Sequence, residues 1–205
     1  MTAKPYQIDN SAQGVAAKVS LRHWLISALK KEGPIALLET FGGEGHLYET
    51  CYRGQVAAAL AFERRDIPNP KGRRLIRGDC HRLLRSIDPG AFNLFDLDAW
   101  GSPWYAFWLI VLRLTKAPPG RLLGFALTDG LTRKANSGLF DRAVGAHVGL
   151  PPKMKIPCLN RHMDFIQRRL VQRGLALANA KFIEGRGGEN EGKHTTYLAF
   201  LARKS

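Results

Sequence analysis

The sequence predicts an α/β fold, a mostly parallel sheet with helices on both of its faces. Three observations predict it. Short, nearly unbroken apolar runs recur at Ile35–Leu38, Gln55–Phe62, Ala91–Leu97 and Leu122–Leu127, and runs without polar alternation suit strands buried on both sides. Segments of helical spacing fall between or beside them. Gly and Pro punctuate the junctions. The length of 205 residues and a hydrophobic share of 45% suit one globular domain over 1–205.

The elements follow in order. Val19–Lys31 places Leu21, Trp24, Leu25, Ala28 and Leu29 at helical spacing, and Gly33-Pro34 stops it. This makes 1–33 a helical amino-terminal segment. The strand Ile35–Leu38 enters a glycine-rich turn at Phe41–Gly45, and a short helix is expected from about Glu44 to Tyr52. Gln55–Phe62 is the second strand. Arg64–Gly72, with two prolines, is a loop. Arg74–Arg77 leads to Asp79 and a helix at Cys80–Ser86. After Ala91–Leu97, Ser102-Pro103 opens a helix to about Thr115 with favoured first-turn residues. Leu122–Leu127 is the next strand. The stretch 129–158 is irregular and basic. Asn160–Arg173 is helical, and Leu175–Ile183 and Thr195–Ala202 are two closing strands around the loop GRGGENEGK.

Composition excludes several classes. The longest apolar stretch, Trp100–Leu114, is broken by Gly101, Ser102, Pro103 and Arg113, so no membrane span is expected. The polar start Met1–Gln13 lacks a signal-peptide core. Cys51, Cys80 and Cys158 are too scattered for a disulfide framework or a zinc site, and the six histidines show no ligand spacing. A reduced, cytoplasmic protein without a metal is expected. The net charge of +14 then asks for a polyanion, an acidic surface or a solubility role.

The most informative segment is LLETFGGEGH. An apolar strand runs into Glu39, Phe41, Gly43 and Gly45. Glycines permit positive φ and close approach of a ligand to the backbone. The spacing is not the Gly-x-Gly-x-x-Gly of dinucleotide sites, and Glu39 would repel a pyrophosphate. An acid there suits a ligand with an ammonium or sulfonium group. Glu63 ends the second strand, where a carboxylate can accept from two ribose hydroxyls. Asp79 could accept from an adenine amino group, with Cys80 beside it. The alternative is structural: a plain turn at the glycines, and helix caps at the acids.

These residues resemble the class I S-adenosylmethionine-dependent methyltransferases, over roughly Ile35–Ala202. The resemblance implies a Rossmann-like, doubly wound, seven-stranded sheet whose last strand is antiparallel. It implies that Glu39, Phe41, Gly43 and Gly45 cradle the methionine part of S-adenosylmethionine, that Glu63 holds the ribose, and that Asp79 holds the adenine. Cys80, next to Asp79, could touch the adenine too, the alternative being a buried free thiol.

The fourth strand, FNLFDLD, runs into AWGSPW. Asp96 and Asp98 are two apart and share one side of the strand. An exocyclic base amine is a poor nucleophile, because its lone pair is delocalised into the ring. Asp98 as acceptor of its N–H would build electron density on the nitrogen, and Trp100 could stack on the base; a base in a duplex must first be flipped out. DLDAWGSPW is similar to the Asp-Pro-aromatic-Gly-Ser-Pro signature of tRNA N2-guanine dimethyltransferases at Asp98, Trp100, Gly101, Ser102 and Pro103. Ala99 departs from it, standing where that family has proline. The resemblance implies an amine of DNA or RNA as the target, with Asp96 catalytic or holding the loop. Phe107 and Trp108 read as core.

The charge is uneven. Residues 1–119 hold 16 Lys and Arg against 11 Asp and Glu, and residues 120–205 hold 15 against 6. Arg133, Lys134, Lys153, Lys155 and Arg161 are therefore expected to line a nucleic-acid face, with 129–158 as a recognition region. Tyr6, Lys18, Arg22 and His23 are candidates for closing over the cofactor or touching the substrate. The competing readings are a methyltransferase of a protein or small molecule, and a methyltransferase-like module that binds nucleic acid without catalysis.

Overall fold

Seven strands form one sheet in the order β3-β2-β1-β4-β5-β7-β6. They are β1 Ala36–Glu39, β2 Ala58–Glu63, β3 Arg74–Arg77, β4 Leu94–Asp98, β5 Leu122–Asp129, β6 Leu175–Arg186 and β7 His194–Lys204. The computed structural model describes residues 12–99, 101–130, 158–186 and 194–205. Strands β3, β2, β1, β4 and β5 pair in parallel, and β7 is antiparallel to both β5 and β6. Six strands therefore point one way and β7 the other, as expected. The chain winds outward from β1 to β3 on one side and through β4 to β5 on the other. The seam between β1 and β4 is the switch point where ligands of such sheets bind.

The strand residues alternate between two cores, which is why the strands read as unbroken apolar runs. Leu38, Phe95 and Leu97 join a core with α2 (Cys80–Leu84), α3 (Trp104–Arg113) and α4 (Cys158–Val171). Leu37 and Leu94 face the other way, onto α1 (Ala12–Leu29) and Tyr48, Cys51 and Tyr52. Phe95, Phe107, Phe125 and Phe200 stack or meet edge to face at centroid separations of 4.8–5.7 Å, favoured aromatic geometries. Phe107 and Trp108 are core, as expected.

Several element bounds differ from expectation by two or three residues, and one by more. Helix α1 begins at Ala12 rather than Val19, because Ala12, Ala16 and Ala17 favour helix even where the segment is polar overall. The short helix expected after the glycine turn is present and ends at Tyr52 as expected, with the Glu49 N–H donating back to the Gly45 carbonyl at 2.9 Å. No helix joins β2 to β3; the proline loop does so alone, as the sequence indicated. Among the described residues, no helix is long and apolar enough to cross a membrane.

Candidate active site

The carboxyl ends of β1 to β5 bring the predicted acids into one row. The glycine turn leaves β1 between its two neighbours. The Thr40 N–H donates to the Asp96 carbonyl on β4 at 2.9 Å, and the Gly42 N–H to the Phe62 carbonyl on β2 at 2.8 Å. Gly43 and Gly45 have φ of +48° and +82°, in the left-handed region that favours glycine. A Cβ at Gly45 would lie 2.4 Å from Pro70 Cγ, so the proline loop closes on the turn there. A Cβ at Gly43 would meet nothing within 4 Å. The backbone is open at Gly43, which is where a ligand could approach.

Arg73 locks the turn from below. Its buried guanidinium donates to the carbonyls of Gly42 at 2.8 Å and Gly43 at 3.3 Å, and to Glu39 at 3.2 Å. Asn69 clamps it, accepting from Nε at 3.0 Å and donating to the Arg73 carbonyl at 2.6 Å. Glu39 is only 4% exposed, and burial with the nearby Asp96 charge pushes its carboxyl up to about 8 against the pull of Arg73. The Glu39 side chain thus braces the turn from inside.

Glu63 ties the ends of β1 and β2 together. It accepts from the Gly43 N–H at 3.0 Å and from the Arg65 N–H and Nε at 2.8 and 3.2 Å. Burial works to raise its carboxyl, but these bonds and the Arg65 charge hold it below its ordinary value. A carboxylate has about four acceptor positions, so one remains for a hydroxyl. Asp79 is exposed and caps α2 through the Arg82 N–H at 3.0 Å. The capping alternative is therefore realised at Asp79, through one oxygen. Cys80 is buried, and burial pushes its thiol up to about 12, so it stays protonated. Phe41, His81 and Tyr105 meet edge to face along this flank.

Asp96 and Asp98 both face α1, as their spacing required. Arg22 donates to both Asp96 oxygens at 2.6 and 2.7 Å, and the Tyr52 hydroxyl to Oδ2 at 2.7 Å. All of this is buried. One helical turn earlier, Lys18 Nζ lies 2.9 and 3.1 Å from the two oxygens of Asp98. Four helical residues rise about 6 Å and two strand residues about 6.6 Å, so the two pairs stay in step. Burial works to raise the Asp98 carboxyl, but Arg22 and Lys18 overcome it and hold it below its ordinary value. Asp98 is 22% exposed at its side chain; Asp96 is sealed.

Ala99 and Gly101 each make a backbone hydrogen bond. The Ala99 N–H donates to the Leu97 carbonyl at 2.9 Å, and the Gly130 N–H to the Gly101 carbonyl at 3.0 Å. Trp104 Nε1 donates to Asp129 at the end of β5 at 2.9 Å. Trp100, Arg133, Lys134, Lys153 and Lys155 lie outside the described residues, and Arg161 falls within α4. Sequence reasoning missed Arg73, Tyr52 and Asp129. Only Asp129 carried a signal, as another acid at a strand end. Among the described residues, no group of three or more His, Cys, Asp and Glu could hold a metal.

No protein-family model matches the chain, and no curated protein is similar to it in sequence. Solved structures share its fold. Trm1 from Pyrococcus horikoshii, solved with S-adenosyl-L-methionine, has a TM-score of 0.56 at 13% identity over 93% of this chain and 56% of its own. TYW2 from the same organism, in complex with MeSAdo, has a TM-score of 0.55 at 12% identity over 100% and 66%. Magnesium protoporphyrin IX methyltransferase from Synechocystis PCC 6803, with bound SAH, has a TM-score of 0.56 at 11% identity over 100% and 89%. The chain has the Rossmann-like fold of S-adenosylmethionine-dependent methyltransferases, and spans little more than half of the Trm1 chain.

Proposed function

We propose that this chain is an S-adenosylmethionine-dependent methyltransferase, a single domain that transfers the methyl group to an exocyclic amine of a DNA or RNA base. The observation that carries the reading is the row of carboxylates at the strand ends beside the open backbone of Gly43. The fit to the cofactor rests on the unfilled space at the Gly43 Cβ and the spare acceptor position on Glu63. Phe41, Gly43 and Gly45 would hold the methionine part, Glu63 the ribose, and Asp79 with Cys80 the adenine. Glu39 acts on that part through the turn. The cofactor supplies an electrophilic methyl on a sulfonium.

Asp98 is the acceptor in this reading. Its carboxylate stays ionised near neutrality, so it can take the N–H bond of the target amine as the nitrogen attacks. Asp96 anchors Arg22, whose charge helps keep Asp98 ionised, and Trp100 stacks on the base. Arg133, Lys134, Lys153, Lys155 and Arg161 contact phosphates. A small-molecule acceptor is the second reading, favoured by the likeness to magnesium protoporphyrin IX methyltransferase over 89% of that chain.

Calorimetry with S-adenosylmethionine and S-adenosylhomocysteine tests the cofactor. Transfer of labelled methyl to pooled DNA, tRNA and rRNA, followed by nucleoside digestion, tests the acceptor. Label on N2 of guanine, N6 of adenine or N4 of cytosine is the expected result. Label at a ring carbon would refute the role of Asp98, and cofactor binding without transfer to any nucleic acid would move the reading to a small molecule.

A further inference from the structure

The stretch Arg64–Arg85 holds eight Lys and Arg against two acids; it forms the loop into the edge strand β3, β3 itself, and α2, whose end packs on α3. Arg64, Arg65, Lys71, Arg74, Arg77, Arg82 and Arg85 are all exposed there. Three of them are engaged: Arg65 with Glu63, Arg77 with Asp66, and Arg85 with the Tyr105 hydroxyl. Arg64, Lys71, Arg74 and Arg82 pair with no acid among the described residues. β3 ends the strand order, so no further strand pairs with this edge among the described residues, and all four of its residues are exposed or half-buried.

We infer that the β3 edge is a docking surface for the sugar-phosphate backbone of the nucleic-acid substrate, a deepening that rests on the reading above. A bland account exists, because charged side chains on a short edge strand prevent pairing with other strands. It covers Arg74 and Arg77. It leaves out Arg64, Lys71 and Arg82, which lie off the strand and add repulsion to the folded chain. Unpaired like charges on one edge fit a polyanion that neutralises them. Arg74 and Arg77 leave β3 on opposite faces, so the charge wraps the edge. From β3 to the Asp98 strand is three strand spacings, about 14 Å. That span places the phosphates of flanking nucleotides at β3 when the target base lies at β4.

The test uses the full chain in two triple variants of equal charge. One reverses the edge with Lys71→Glu, Arg74→Glu and Arg82→Glu. The other reverses exposed residues elsewhere with Lys31→Glu, Lys116→Glu and Arg168→Glu. Circular dichroism and S-adenosylmethionine calorimetry first establish that each variant is folded. Anisotropy of a fluorescein-labelled RNA and its DNA counterpart is then read against salt, beside methyl transfer to pooled nucleic acid. The edge variant should bind at least about tenfold more weakly, with the slope of log K against log salt shallower by about two to three. The other variant should stay within about threefold of wild type. Equal losses in the two variants, or none in the edge variant, would overturn the docking surface while wild-type transfer leaves the methyltransferase reading standing. Wild-type protein that modifies no nucleic acid would sink that reading instead. Labelled polyglutamate is the control for a protein partner: binding it as tightly as RNA, with the same loss, would also overturn the assignment to nucleic acid.

Discussion

Lys18 on α1 holds the carboxylate of Asp98 between 2.9 and 3.1 Å, so an ammonium sits where the proposed acceptor would take the target amine. This pair and Arg22 keep Asp98 ionised despite its burial. A carboxyl below its ordinary value loses its charge only as pH falls through that lowered value. Wild-type transfer should therefore show no acid limb from Asp98 in the range above about pH 5. Lys18→Met removes one of the two compensating charges, and the acid limb of the pH–rate profile should move upward. Asp98→Ala should lower transfer at least about a hundredfold with cofactor affinity mostly intact. An unchanged profile in Lys18→Met, or full activity in Asp98→Ala, would place the chemistry elsewhere.

Arg22 and Asp96 form a sealed pair with Tyr52 as a third member. Removing one partner leaves an uncompensated buried charge, which costs about 3–5 kcal/mol. Arg22→Ala should lose about that much in chemical denaturation. Tyr52→Phe removes only one hydrogen bond to the carboxylate, and should lose about 1.5–3 kcal/mol. A smaller loss in Arg22→Ala than in Tyr52→Phe would show that the bidentate contact does not carry the pair.

Much of this site was legible in the sequence because it follows from period. Two acids two apart on an apolar strand must share a face, and basic residues four apart on α1 must share one too. Lys18 and Arg22 interrupt the buried stripe formed by Ala17, Leu21, Leu25 and Leu29, which marks them as paired groups. The partnership itself was not legible, since nothing local tells α1 which strand it will cover. Arg73 was hidden for a similar reason. It sits in a proline loop among exposed basic residues, and only the return of that loop over Gly45 buries it. The seven-stranded winding and the antiparallel last strand came from the resemblance, not from local pattern.

Two glycines in the turn should respond differently to one methyl group. Gly45→Ala places a Cβ 2.4 Å from Pro70 Cγ and 3.1 Å from Arg73 Nη2, so the proline loop must shift and loosen the Arg73 clamp. Gly43→Ala meets open space and carries only backbone strain, about 1 kcal/mol. Thermal melts should rank Gly45→Ala well below Gly43→Ala. Cofactor affinity should instead fall strongly in Gly43→Val, whose larger side chain fills the open space. Normal binding by Gly43→Val would show that the ligand does not approach the turn there.

Glu39 gives the fold a pH dependence of definite sign. Burial and the Asp96 charge raise its carboxyl from 4.5 to about 8, against Arg73. The folded state then holds the proton more tightly than the unfolded chain, so stability from this group is full below 4.5 and is lost as pH rises toward 8. The slope is at most about 1.4 kcal/mol per pH unit. Glu39→Gln has no proton to lose there. Its amide oxygen can still accept from Arg73, as the neutral acid does below that value. Urea denaturation at pH 5, 6.5 and 8 should therefore show the variant gaining on the wild type as pH rises, whatever their order at any one pH. The opposite slope would mean that the 3.2 Å contact with Arg73 governs the carboxyl and keeps it ionised, and that the glycine turn is braced by an ion pair and not by a protonated acid.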